Sequence, residues 1–387
     1  MTETSREVCV EELIDEVAMG PFGSNIKADC FVDSGVPVFN GSNLVGFETN
    51  DNTLRFVTQE KAKSLGNALA SRGDVVVTHR GTLGQIAMIP YDSRYPHYVI
   101  SQSQFRIRCN NKVLPKFLVY YFHTREGQWR LLSNKVQTGV PALGRPTSTF
   151  RKLSMPLPAI ETQVKIVQVL DAMQAKIEAN AKLNGYLEEL CDALFLDFLE
   201  QADSSWHEGT LEELAEVKYG KDHKKLADGP YPVYGSGGFM RSAEKSLFSG
   251  ESVLIPRKGS LNNVMYVNEA FWTVDTMFFT VPRIPGAAKF LYQYVKRLDL
   301  ASMNSGSAVP SMTTSILNAL SLPVPPRDSL LSFNAKLQSM YDAVRANNLE
   351  NRRLESLRDS LLPKLMTGEI DVSKIDLTQL NSHLAER

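Results

Sequence analysis

Two short stretches set a cationic side chain beside glycine: Arg80-Gly81-Thr82-Leu83 and Arg257-Lys258-Gly259-Ser260. Glycine lets a backbone approach a phosphate closely, and a guanidinium fork matches phosphate oxygens or the edge of guanine. Around the first stretch lie Gln102, Gln104, Arg106, Lys135, Thr138 and Arg145. Around the second lie Lys221, Lys224, Ser305 and Ser307. These residue types suit holding and reading a polyanion. All are expected to contact DNA. No catalytic constellation accompanies them. The prolines at 156–158 and 323–326 follow Met, Leu and Val, so the Asn/Asp-Pro-Pro-aromatic signature of adenine methyltransferases is missing. Gly235–Gly238 lacks the Gly-Lys-Ser/Thr of a phosphate-binding P-loop. His207 and His223 have no matched nucleophile, and Cys9, Cys30, Cys109 and Cys191 have no metal-ligand spacing. Neither a catalytic nor a metal site is expected in this chain.

The elements that must carry these residues are written twice. Leu153-Ser-Met-Pro-Leu-Pro158 and Leu320-Ser-Leu-Pro-Val-Pro325 lie 167 positions apart, and the offset persists without a gap downstream. Upstream, with small indels, Lys116-Phe117-Leu118 matches Lys289-Phe290-Leu291, Arg80–Leu83 matches Lys258–Leu261, and Pro37-Val38-Phe39 matches Pro232-Val233-Tyr234. β-branched and aromatic runs (74–78, 104–108, 252–255, 277–281) predict strands, and 116–123 and 289–296 predict one short helix per copy. The fold class is α+β. Two mixed α/β units, residues 1–155 and 203–325, alternate with long helical segments at 156–202 and 326–370, and a tail follows at 371–387.

The two helical segments carry matching heptad seams. The first is filled by Leu170, Met173, Ile177, Asn180, Asn184, Leu187, Cys191 and Leu194, the second by Leu337, Met340, Val344, Asn347, Asn351, Leu354, Arg358 and Leu361. Helices of ~38 residues would run ~57 Å, long for one compact domain. Packing them together as an antiparallel coiled coil buries both seams and relates the halves by a pseudo-twofold axis; packing each on its own unit is the alternative. Buried amides need partners and so tend to fix register. Asn180 and Asn184 are therefore expected to face Asn347 and Asn351.

A net charge of −1 from 42 Lys+Arg and 43 Asp+Glu conceals segregation. Residues 1–71 carry a net −6, 72–152 a net +10, 153–203 a net −6, 204–327 a net +2 and 328–387 a net −1. The +10 block includes Arg80, Arg94, Arg106, Arg108, Lys135, Arg145, Arg151 and Lys152, and favours nucleic acid as the partner. The acidic start has no apolar signal segment, and no run approaches the ~18 residues of a membrane span, so a cytoplasmic protein is expected.

The ordered motifs resemble those of specificity subunits of type I restriction–modification systems. Gly20-Pro-Phe-Gly-Ser24, Gly35-Val-Pro-Val38, Gly41-Ser-Asn43, Gly73-Asp-Val75, Thr78–Gly84 and Ile100-Ser-Gln102 carry the resemblance in the first copy. Tyr231–Gly238, Arg257–Ser260, Asp275-Thr276 and the ending Leu361–Ile370 carry it in the second. One departure is visible: Arg327-Asp-Ser-Leu330 stands where the first copy has the acidic-Gln pattern Glu161-Thr-Gln163. The resemblance implies two target-recognition domains, each reading half of a bipartite asymmetric site in double-stranded DNA. The helix pair then sets the spacer and docks two modification subunits, which bind S-adenosylmethionine and methylate adenine. Restriction subunits with ATP- and Mg-dependent translocase and nuclease activity complete the assembly. Against this stand a coiled-coil scaffold without DNA readout and, disfavoured by the missing motifs, a stand-alone DNA methyltransferase.

Overall fold

The computed structural model describes residues 6–21, 25–136, 139–303, 311–379 and 382. The chain divides into two units. The first combines Met1–Ala179 with Glu350–Arg387, and the second is the uninterrupted segment Asn180–Leu349.

In the first unit, Arg6–Cys9 pairs antiparallel with Ser154–Leu157, closing the domain at its base. A four-stranded sheet follows, ordered Ile14–Met19, Gln104–Cys109, Val75–Thr78, Ile86–Met88. Its central strand Val75-Val76-Val77 is fully buried, as a continuous β-branched run covered on both faces should be. A five-stranded sheet adds Val36–Val38, which runs parallel to His97–Val99. Helix Pro115–His123 buries Phe117 through Phe122 against this framework.

The second unit repeats the plan. His207–Thr210 pairs with Ser321–Val324, each bound of the latter 167 positions after its counterpart. The strand order Ala215–Tyr219, Met277–Pro282, Phe248–Pro256, Met265–Thr273 matches the four-stranded sheet. Here the sheet continues into Tyr231–Gly235 and Gly238–Ala243 to make six strands, and Tyr231–Gly235 again joins through a parallel pair. Helix Ala287–Val295 takes the place of Pro115–His123.

The long helices are Ile160–Glu200 and Arg327–Thr367, 41 residues each, every bound again 167 apart. Pro158 and Pro326 precede them, as helix-start proline should. Pro363 lies inside the distal helix, which runs on four more residues. Gly368, at φ 74°, then ends it.

Within each unit the helix segments run antiparallel. In the first, Arg358 donates to Gln174 (2.8 Å) and Asn351 donates to the Ile177 carbonyl (3.2 Å). In the second, Cys191 meets Met340, and Phe198 stacks on Phe333 at 4.4 Å. The amides at mid-seam are buried or half-buried as expected, but their pairing is split. Asn184 accepts from Asn347 (2.8 Å) and donates to Asn348 (2.9 Å), a neighbour outside the seam, while Asn351 caps a backbone carbonyl. Asn180 is 4% exposed. Leu170, Ile177 and Leu354 belong to the first unit's core and Leu337 to the second's. Each helix therefore packs on its partner helix and on a globular unit at once, so the two alternatives in the sequence combine. Leu187 and Val344 are only partly buried.

Candidate nucleic-acid interface

The same loop is built in both units. In the first, Gly81 donates to the Pro141 carbonyl (2.9 Å) and Leu143 to the His79 carbonyl (2.8 Å), so Arg80 bridges Ala142. In the second, Met312 donates to the Arg257 carbonyl (2.9 Å) and Lys258 bridges Ser311. Gly81 and Gly259 both take the left-handed region, at φ 93° and 84°, which turns the chain immediately after the cation. A second loop backs each one by close backbone approach. A Cβ on Gly20 would lie 1.9 Å from the Ser101 oxygen, and one on Gly220 would lie 2.0 Å from the Val274 oxygen.

Four of the expected contact residues of the first unit share one exposed surface. Arg80 projects from its loop, and the His79 Nε2 donates to the Gln102 carbonyl at 3.1 Å, bringing Gln102 alongside. Burial holds the His79 imidazole below its ordinary pKa. Lys135 sits in the two-residue pairing Lys135–Val136 with Ala142–Leu143. Arg145 follows at φ 46°, heading the short helix Pro146–Arg151. Arg80, Lys135 and Arg145 are exposed and make no ion pair among the described residues.

Two expectations are corrected. Gln104 is fully buried; its Oε1 accepts from the Ser101 backbone and its Nε2 donates to the Asn40 carbonyl, so it shapes the loop that carries Gln102. Arg106 is 4% exposed, forked onto Glu16 (2.6 and 3.1 Å) and bonded to the Asn67 carbonyl. Both are internal and cannot face DNA in this fold. Of the 13 cations in the wider basic block, five, Arg106 among them, pair with the acidic segment that precedes it. Arg108 pairs with Asp74 and Glu16, Arg130 with Glu7 and Glu126, Arg151 with Glu11, and Lys116 with Glu48.

In the second unit Arg257 lies over the Tyr219 ring at 5.4 Å, and Lys258 is exposed beside it. Tyr219 is half-exposed and lies within Lys218-Tyr219-Gly220-Lys221; an exposed aromatic between basic residues is the signal that finds it. Lys221 and Lys224 are exposed on an adjoining loop. The Trp272 Nε1 donates to the Lys221 carbonyl, and Arg241 holds the same loop through Asp228 and the His223 and Leu226 carbonyls. His223 thus has a structural contact, as does His207 with Glu213. Thr138, Ser305 and Ser307 lie outside the described residues.

Burial pushes the Cys109 thiol up to about 12 and Cys191 to about 11, which suppresses the thiolate. Among the described residues no group of His, Cys, Asp and Glu is placed to hold a metal ion, and no helix is long and apolar enough to cross a membrane.

The acidic-Gln pattern at the central helix start is also structural. Gln163 is fully buried; its amide accepts from Leu114 and donates to the Lys112 and Pro158 carbonyls. Its counterpart 167 positions on is Leu330, fully buried in an apolar cluster. The departure replaces a polar staple by an apolar plug.

A duplicated α/β unit presenting the same cationic loop in each copy is the make-up of a two-part recognition protein. Residues 23–189 and 203–357 match the type I restriction modification DNA specificity domain, so the chain belongs to that family and is a specificity subunit of type I restriction–modification. It is 23% identical over 386 residues to the type I restriction enzyme HindI specificity subunit of Haemophilus influenzae, covering 72% of this chain and 83% of that protein. It is 23% identical over 365 residues to the MjaIX specificity subunit of Methanocaldococcus jannaschii, covering 83% of each. The S subunit structure from M. genitalium shares the fold, with a TM-score of 0.60 at 17% identity over 95% of this chain and 97% of that one.

Proposed function

We propose that each unit reads one half of a bipartite, asymmetric site in double-stranded DNA, and that the long helices set the distance between the halves. The observation that carries this reading is the duplicated loop: Arg80 on Ala142 and Lys258 on Ser311, in the same backbone setting, with different surroundings. Equal scaffolds with unequal side chains suit unequal half-sites. Arg80, Gln102, Lys135 and Arg145 contact DNA in the first unit, and Lys221, Lys224, Arg257 and Lys258 in the second. Thr138, Ser305 and Ser307 complete the set.

The chain supplies recognition without catalysis. Two modification subunits, binding S-adenosylmethionine, dock on the helices and methylate adenine; restriction subunits supply ATP- and Mg-dependent cleavage. The exposed Leu183, Tyr186 and Leu190 on the central helix, flanked by Glu188 and Glu189, are suited to bind protein. The complex works in the cytoplasm.

The test is a domain exchange. Replacing residues 204–320 with the corresponding segment of another specificity subunit changes one half of the methylated target and leaves the other intact. A change in both halves, or in neither, defeats the reading. A scaffold without DNA readout would also leave binding insensitive to salt, whereas a phosphate-contacting complex loses affinity by roughly one power of salt per contact.

A further inference from the structure

Each unit hides a lysine that the sites described above do not use. Lys116 and Lys289 lie in the first turn of equivalent, largely apolar helices, and their side chains are 17% and 0% exposed. Lys116 Nζ lies 2.5 Å from Glu48 Oε1 and 2.9 Å from Asp171 Oδ1. Lys289 Nζ lies 2.5 Å from Glu251 Oε1, 2.8 Å from Asn334 Oδ1 and 2.9 Å from Gln338 Oε1. In both copies one acceptor belongs to the α/β unit and the rest to a long helix. Asp171 and Gln338 stand 167 positions apart, so the helix-side acceptor recurs with the repeat although its chemistry has changed. One turn further along the domain helix the contact is repeated: Tyr120 donates to Asp171 (2.6 Å), and Gln293 donates to the Tyr341 hydroxyl (3.0 Å). The rings of Tyr266 and Tyr341 each lie 5.6 Å from the Lys289 ammonium.

An ammonium has three donors, and at Lys289 three oxygens meet them. Apolar ridges tolerate small slides, whereas a buried ammonium that loses an acceptor incurs a desolvation cost it cannot relieve. Each lysine is therefore an angular stop between recognition unit and helix. Stability alone does not account for it, since well-packed apolar residues often replace buried ion pairs without loss.

We propose that Lys116 and Lys289 are positioning residues for DNA recognition: each fixes the angle of its recognition unit on the long helix and thereby sets which spacer length between half-sites is accepted. This rests on the bipartite reading proposed above. The test uses the chain in complex with its partner subunits, with the target read from the methylated positions of the host genome. Methyl transfer is measured on duplexes carrying the native spacer, the spacer changed by one base pair either way, and single base changes in each half-site.

K289M and K116M take the cation from Glu251 and from Glu48 and Asp171 and should lower melting, but the folded variants should keep their half-site base preferences while preference for the native spacer falls about tenfold or more. A folded variant whose spacer preference is unchanged, including one with equally weakened activity on every duplex, would overturn the proposal. D171N and Q338L keep the lysine and alter one acceptor, and they carry the same test if a lysine variant does not fold. A wild-type complex indifferent to spacer length would instead sink the bipartite reading itself.

Discussion

The two recognition units reach similar reading surfaces from very unequal charge. By sequence the basic block of the first stands at +10 and the second unit at +2. In the fold, Glu7, Glu11, Glu16 and Glu48 pair with five of that block's 13 cations from within its own unit. What remains around the loop is Arg80, Lys135 and Arg145 in one unit and Lys221, Lys224, Arg257 and Lys258 in the other. A run of cations in sequence therefore measures the charge available to ligand only after internal pairing is subtracted.

The sharpest way to break this comparison is within the first unit. Arg106→Met removes the guanidinium forked onto Glu16, leaving Arg108 as the partner of Glu16 and Asp74, and should lower stability by about 1–3 kcal/mol, whereas Arg145→Ala should leave it nearly unchanged. Urea denaturation reads both, and equal effects would erase the distinction between internal and external arginines. Across the units, Gly20→Ala and Gly220→Ala both drive a Cβ into a carbonyl oxygen, so each should destabilise by roughly 1–3 kcal/mol or more. Unequal losses would show that the shared scaffold is not equally essential.

On the DNA side, Arg80→Gln and Lys258→Gln should each reduce the salt slope of binding by about 1. No change in slope for one of them would remove that loop from the interface. In the seam, Asn184→Leu leaves the Asn347 and Asn348 amides to water and should cost about 1 kcal/mol, less than a fully buried orphan would. The smallest effect is pH. Burial depresses the folded-state pKa of His79 and His123, both in the first unit. Their neutral forms stabilise that unit above the ordinary histidine value, and the contribution fades as pH falls from about 6.5 toward the lowered pKa values. Amide exchange should show the first unit loosening over that window, and His123→Phe should reduce the change.

The repeat, the two long helices and the strand runs were legible because they rest on local spacing; the helices Ile160–Glu200 and Arg327–Thr367 keep the 167-residue offset and lie one to four residues inside the expected segments. The fate of single cations was not. Gln104-Phe-Arg-Ile-Arg-Cys109 alternates as a strand should, yet nothing local reveals that Glu16, 90 positions away, covers the face bearing Arg106. Lys116 and Lys289 stood in plain view as repeat matches. Their meaning depended on acceptors 38 to 68 positions away that no local pattern connects to them. A lone charge in the first turn of a largely apolar helix was the available signal.

The discontinuous make-up of the first unit has a consequence for biogenesis. Its core takes Leu354, Leu362, Leu365, Met366 and Val372 from the far end of the chain, while the second unit is one unbroken segment. On the ribosome the later-numbered unit has all its residues first, and the earlier one waits with an open apolar face until the final stretch emerges. Synthesis order and completion order are thus reversed, and a nascent chain halted near residue 349 would hold a finished second reader and an unfinished first.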